Sequence, residues 1–279
     1  MTVTIDYSRA GPFTAFDGID ASVLGVPSGD PEEICRPVQA LVIQPTDTDA
    51  LGLAPERLAE KDIRPASELV RRLLALDPAP LVEPREPENR VVGTCRHYAV
   101  LSCALLRRAG IAARVRCGFA TYFQPGQALD HWITEYRLPD PERPGSRRWV
   151  RIDSEVLDGS VIPRPHDLAP EDFRTGGEAW SAYRRGEIDP ATFGVFGTDN
   201  WGAAEIRGNA VKDLAALNKV EVLPWDEWGR MTEAYAGQTG ADYDELLDTL
   251  AQICAEDAPA AVASLYAHQD LTVPPDLLS

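Results

Sequence analysis

The residues of this chain that can do chemistry together lie between Val91 and Glu155, where Cys95, His131 and Asp153 follow one another in that order. Each falls at the edge of a different expected element, and together they form the trio of an activated thiol nucleophile. Cys95 follows Gly93 and Thr94 and opens a segment with helical periodicity. Unpaired N–H groups and the macrodipole at a helix start favour an anion, and such placement brings a thiol pKa from about 8.5 into roughly the 3.5–7.5 range. His131 opens a strand after a glycine-containing loop, and its imidazole can accept the thiol proton and return it to a leaving amine. Asp153 closes the next strand and can fix the imidazole tautomer if the two strands pair. Most lone cysteines are small core residues, and that reading fits Cys103 and Cys117, which sit inside apolar stripes. His97 is the rival base. It stands two residues from Cys95 on the same helix, and residues so spaced point to different faces.

Further groups can serve this trio. The Cys95 backbone N–H is the natural first donor to an oxyanion, and Asn89, six residues upstream, is the candidate second. Trp132 and Trp149 fit the core of a sheet face; the same rings can wall the thiolate and keep water from the Cys–His pair. Arg114 and Glu135 read as a structural ion pair, with substrate binding as the other reading.

These residues need elements to hold them. Cys95 to Arg108 reads as a helix with Tyr98, Leu101, Ser102, Leu105 and Leu106 on one side, arginines in the last turn and Gly110 beyond it. Ala113–Phe123 alternates as a strand, Pro125-Gly126 turns the chain, and His131–Leu138 and Arg148–Ile152 make two more strands across a charged, proline-rich loop. Upstream, residues 1–30 suggest extended segments and turns. Asp30-Pro31 starts a helix with Ile34, Val38, Leu41 and Val42 at helical spacing, with Pro37 restricting where it begins, and Pro65 opens another that stops at Asp77-Pro78. Residues 78–90 are an extended, proline-rich lead-in. Downstream, helices are expected over Ala203–Asn218, Trp225–Tyr235, Tyr243–Cys254 and Pro259–His268, with Asp189-Pro190 as a helix start. The aromatic, glycine-rich Phe193–Gly202 suits a loop packed near the site. The fold class is α+β: a nucleophile helix packed on an antiparallel sheet, flanked by N-terminal helices and a mainly helical C-terminal region. We read 1–279 as one globular unit, with an N-terminal segment to 90, a core over 91–160, and 161–279 as a candidate cap.

Composition narrows the function classes. The 44% apolar share of 279 residues suits a globular core that needs no covalent staples. A net charge of −17 disfavours nucleic acid or an anionic membrane as partner and can help recruit a cationic substrate, though it also serves plain solubility. The five cysteines are odd in number, form no CxxC pair and share no metal-ligand spacing with the four histidines. Reduced thiols, no metal and no organic cofactor are the expectation; an EF-hand-like calcium loop is absent. The first residues show no signal-peptide pattern and no stretch has the ~18 apolar residues of a membrane span, so the expected location is the cytoplasm.

With those residues in view, 91–155 resembles the transglutaminase-like superfamily, whose core is papain-like. The matching parts are Gly93-Thr94-Cys95, Gly110-Ile111-Ala112-Ala113-Arg114, His131-Trp132 with Glu135, and Trp149 through Asp153. The resemblance implies Cys95 as nucleophile, His131 as general base and acid, and Asp153 as orienter of the imidazole. Two departures stand out: Ala112 where family members often have proline, and His131 and Trp132 adjoining where one residue commonly separates them. The expected reaction is attack by Cys95 on an amide or peptide bond through a thioester. Hydrolysis comes first, transamidation to an amine in small-molecule biosynthesis second, and an inactive interaction module third.

Overall fold

The computed structural model describes residues 4–25 and 29–278; the parts of the extended 1–30 stretch at 1–3 and 26–28 lie outside the described residues. The chain forms two compact units. One comprises Tyr7–Val115 and Ile133–Leu168, the other Met1–Asp6, Arg116–Trp132 and Ala169–Ser279.

The first unit holds helix α1 (Pro31–Cys35), strand β1 (Val42–Ile43), helix α2 (Ala66–Leu76), strand β2 (Val91–Val92) and helix α3 (Cys95–Arg108). It also holds the start of β3 (Ala113–Ala120), the later part of β4 (Ala128–Pro139), and β5 (Arg147–Ile152). Strands β4 and β5 are antiparallel, Thr134 facing Ile152 and Arg137 facing Trp149, while β1 and β2 form a small parallel pair. Asp30 caps α1, its carboxylate accepting from the Glu32 N–H at 3.0 Å with Pro31 in the first turn. The helix expected to run on through Val42 stops at Cys35. Pro37 has no N–H to continue the ladder, so the chain tightens into a 3₁₀ turn over Arg36–Ala40 and then extends as β1. Helix α2 runs as expected to Leu76, where Asp77 is forced extended by Pro78 (φ −149°, ψ 120°).

Helix α3 organises this unit. Every residue from Cys95 to Arg107 is buried, so it is a core helix enclosed on all sides rather than an amphipathic surface helix. Burial of Val100, Leu101 and Leu106 contributes about 1.5–3 kcal/mol per side chain. Polar contacts fix its height and rotation. Thr134 Oγ1 on β4 donates to the Ala99 carbonyl at 2.9 Å, and Ser102 Oγ donates to Ser154 Oγ at 2.6 Å. Gly110, at φ +77°, turns the chain from α3 toward β3.

The second unit holds the end of β3 and the start of β4, then β6 (Phe173–Thr175), α4 (Gly176–Arg184), β7 (Phe193–Gly194), α5 (Ala203–Leu217), α6 (Met231–Tyr235), α7 (Ala241–Ala255) and α8 (Pro259–Tyr266). Here β3 pairs antiparallel with β6 and β4 pairs parallel with β7. A Cβ at Gly118 would lie 2.0 Å from the Arg174 carbonyl oxygen, so the β3–β6 approach requires glycine there. The helix expected from Trp225 begins only at Met231. Asp226 folds back to accept from the Leu223 N–H at 2.7 Å, and Gly229 takes φ +58°, so 223–230 is a turn. Asp189-Pro190 starts a single 3₁₀ turn, and the Phe193–Gly202 stretch is split, Phe193 buried against Phe119 and Phe196 60% exposed. The elements are those of the expected α+β fold, with a sheet that is antiparallel except for the β4–β7 pair and helices before and after it. Among the described residues no helix is long and apolar enough to cross a membrane.

Candidate active site

Cys95 is the first residue of α3 and only 8% exposed, with Thr94 extended before it as the N-cap. The cap is unusual in using histidine where glutamate or glutamine is common. The Thr94 N–H donates to His97 Nδ1 at 3.0 Å, and His97 Nε2 lies 3.1 Å from the Ile63 carbonyl. Because Nδ1 accepts, Nε2 carries the proton and donates to Ile63. Burial, then the neighbouring Arg96 charge, push the His97 pKa down to about 3 against the opposing carbonyl hydrogen bonds. The rival base is therefore a neutral structural ring. Gly93 makes room for it, since a Cβ there would sit 2.7 Å from the His97 ring.

This predicts a pH dependence. The folded pKa of His97 lies below the unfolded value of about 6.5, so the unfolded chain binds the extra proton. Stability from this group is fully present above pH ~6.5 and is lost as pH falls toward 3. His97→Gln keeps an acceptor at the cap without titrating. Its melting temperature should fall less than that of the wild type between pH 6.5 and 4.5 by circular dichroism; parallel curves would contradict this assignment.

Strand β2, which leads into Cys95, is held by a group that sequence reasoning missed. Glu60 Oε2 accepts from the Val92 N–H at 2.9 Å, while Arg57 and Arg72 pair with the same carboxylate at 2.7 Å each. Burial alone would raise the Glu60 pKa, but Arg57, the Val92 N–H and Arg72 outweigh it and hold it below its ordinary value.

Asp153 follows β5 in the same unit as Cys95 and is 1% exposed. Its Oδ1 accepts from the Glu155 N–H at 3.0 Å and its own N–H donates to Pro165 O at 2.8 Å, so carboxylate and backbone are both fixed. The Ser102–Ser154 hydrogen bond ties the next residue to α3. Tyr98, one turn along α3 from Cys95, donates to Val42 O at 3.0 Å. Burial first, and then the Glu155 charge ahead of that of Asp153, raise its pKa well above the ordinary phenol value. The structure thus joins the helix start of Cys95 and the turn of Asp153 into one scaffold.

His131 lies on β4 in the second unit, 3% exposed, among the rings of Phe123, Tyr122 and Phe173 at centroid distances of 5.0, 6.1 and 6.5 Å. Asp130, just before it, accepts from Asn209 Nδ2 on α5 at 2.7 Å, and Asn209 also donates to Gly118 O. Burial raises the Asp130 carboxyl pKa against the lowering effects of Lys212, Asn209 and His131.

Trp132 is buried at 1% exposure, as expected of sheet core, and its indole N–H has no hydrogen-bond partner among the described residues. Trp149 is half-buried in the first unit, with the Arg114 guanidinium 3.9 Å from its ring centroid and Tyr7 edge-on at 5.6 Å. That packing accounts for Trp149 without a ligand. Arg114 donates to Glu135 at 2.7 Å and Arg151 to the same carboxylate at 3.2 Å, which makes the structural ion pair the better reading. Asn89, half-buried in the first unit, ends a 3₁₀ turn with its N–H donated to Glu86 O.

Against this geometry the comparisons with known proteins can be read. Residues 80–154 match the model of the Transglutaminase-like superfamily. The segment is transglutaminase-like. It takes in Cys95, His131 and Asp153 as well as Asn89, Trp132 and Trp149, and it supports a cysteine-dependent enzyme in general. No curated protein matches the chain. A solved structure from Cytophaga hutchinsonii, described as a "Putative Cysteine Protease", matches at 17% identity and a TM-score of 0.20, covering 59% of this chain and 51% of its own. The chain thus aligns with about half the length of that protein.

Outside the transglutaminase-like segment, the polar residues of α5 were also missed. Glu205, Asn209, Lys212 and Asp213 are all buried, and Tyr235 donates to Glu205. Their helical spacing is visible in the sequence as a polar stripe beside the apolar one, which ordinarily marks a solvent face; here α5 is enclosed on both.

Proposed function

We propose that this chain is a cysteine-nucleophile acyl-transfer enzyme that hydrolyses amide or peptide bonds, with Cys95, His131 and Asp153 as its triad. The observation that carries the reading is Cys95 at the N-terminus of the buried helix α3, with the Asp153 turn tied to that helix through Ser102 and Ser154. The match over 80–154, which spans all three residues, supports it.

In this mechanism the Cys95 thiolate attacks the amide carbon and the Cys95 N–H helps hold the resulting oxyanion, with Asn89 as the second candidate donor. His131, carrying the thiol proton, gives it to the leaving amine, and the C–N bond breaks to leave a thioester. Water then attacks while His131 takes its proton; the acid leaves and the thiol is restored. Asp153 holds the imidazole in the required tautomer. No step calls for a metal or organic cofactor. Hydrolysis ranks ahead of transamidation because water needs no acceptor site.

The test is alkylation of the native protein with iodoacetamide at mildly acidic pH, followed by peptide mapping. Cys95 is expected to react faster than a model thiol, ahead of the buried Cys35, whose pKa burial pushes up to about 12. Product mass spectrometry with and without added amine separates the two reactions. A product that forms only with the amine would replace hydrolase by transamidase, and a Cys95 slower than the model thiol would remove the nucleophile.

A further inference from the structure

The turn between β3 and β4 presents two aromatic side chains beside His131. Phe123 is edge-on to the imidazole at 5.0 Å and Tyr122 at 6.1 Å, and the two rings pack on each other at 4.7 Å. Phe173, the third ring, is fully buried, whereas Tyr122 and Phe123 are half-buried. Within this unit, Phe173 packs on the histidine from the buried side, and Tyr122 and Phe123 are only partly covered. The turn is pinned at both ends. The Thr121 N–H donates to Asp172 O at 3.0 Å and its hydroxyl to Glu171 O at 2.8 Å, while Gln127 N–H donates to Gln124 O and Gly126 sits at φ +80°. No charged residue occurs from Thr121 to Leu129, on a chain whose net charge is −17.

We propose that Tyr122 and Phe123 form the specificity wall of the enzyme and select amides with a neutral aromatic or large aliphatic group next to the scissile bond. The inference rests on His131 being the general base of the proposed reaction. Partly exposed aromatic residues on a pinned turn gain free energy when a ligand covers them, and little ordering is required of the turn. The uncharged stretch favours a neutral group over the cationic substrate that the overall charge suggested.

The test measures binding apart from turnover, using the full-length Cys95→Ala protein and three probes: the N-acetyl amides of phenylalanine, glycine and arginine. By titration calorimetry the phenylalanine amide should bind roughly tenfold or more tightly than the glycine amide, and it should shift the His131 ring resonances. Phe123→Ala in the same background should collapse that preference to within about twofold, Phe123→Leu should leave an intermediate preference, and Tyr122→Phe should retain it. Equal binding, absence of binding, a preference for the arginine amide, or a preference that survives both Phe123→Ala and Tyr122→Ala overturns the inference. Failure of the thiol chemistry is read separately, from the alkylation of Cys95. A preference at His131 without a reactive Cys95 would remove the enzyme reading and leave a binding wall.

Discussion

Cys95→Ala is expected to lower amide turnover by roughly 10⁴- to 10⁶-fold, the loss seen when the nucleophile of a thiol or hydroxyl triad is removed. The side chain is small and sits at the first residue of α3, whose position is set by Thr134, Ser102 and the His97 cap. The variant should therefore fold, and a melting curve close to the wild type would show that lost activity is chemical. His131→Ala should cost a similar factor and the double variant scarcely more, because the two residues act as one unit. Asp153→Asn should lower kcat more than it raises KM, since the carboxylate orients the base without binding substrate. A Cys95→Ala protein that keeps a tenth of wild-type kcat would end the covalent mechanism.

The largest effect on stability is expected at Asp213. Its carboxylate takes two parallel hydrogen bonds from Arg116, 2.8 Å from Nε and 2.7 Å from Nη2, and a third from the Cys117 N–H at 3.1 Å. The Arg116 side chain is 4% exposed and that of Asp213 0%. Asp213→Ala removes the carboxylate that accepts three hydrogen bonds from a buried guanidinium and a buried amide N–H, at a cost of about 3–5 kcal/mol. That corresponds to a fall in melting temperature on the order of 10 °C. Replacing both partners, Arg116→Met with Asp213→Leu, removes the buried charge together with its acceptor and should recover most of the loss. Urea melts of the single and double variants measure the difference. A single variant within 1 kcal/mol of wild type would show that water reaches the pair.

What could be read from the sequence was set by local physics. Cys95–Arg108 was legible because the Gly93-Thr94 lead-in at the helix start, helical apolar spacing and Gly110 all agree. Strand β3 was legible from the alternation of Val115, Cys117 and Phe119 with Arg114, Arg116 and Gly118. The stop of α1 was harder, because Pro37 falls inside an apolar pattern that continues past it, and only the loss of one backbone donor decides where the helix ends. Helix α4 was missed because Gly176-Gly177 reads as a breaker; there the missing Cβ lets backbones meet, since one at Gly176 would lie 2.2 Å from Asn209 O. The candidate nucleophile, base and orienter were found by type and order. Their supports, Glu60 under β2, His97 in the cap and Asn209 behind Asp130, are long-range or atypical uses of common residues, and no spacing rule marks them.

The chain leaves one compact unit and enters the other in the middle of strand β3, and returns in the middle of β4. Neither unit is therefore a continuous piece of sequence, and this bears on how the protein is made. During synthesis, residues 116–132 emerge inside the first unit's sequence but have to wait for partners such as Asp213, 97 positions after Arg116. Loop closure over that span is slow compared with local helix formation. A chain truncated after Leu168 would carry the half-strands of β3 and β4 unpaired with β6 and β7, their edges open to association.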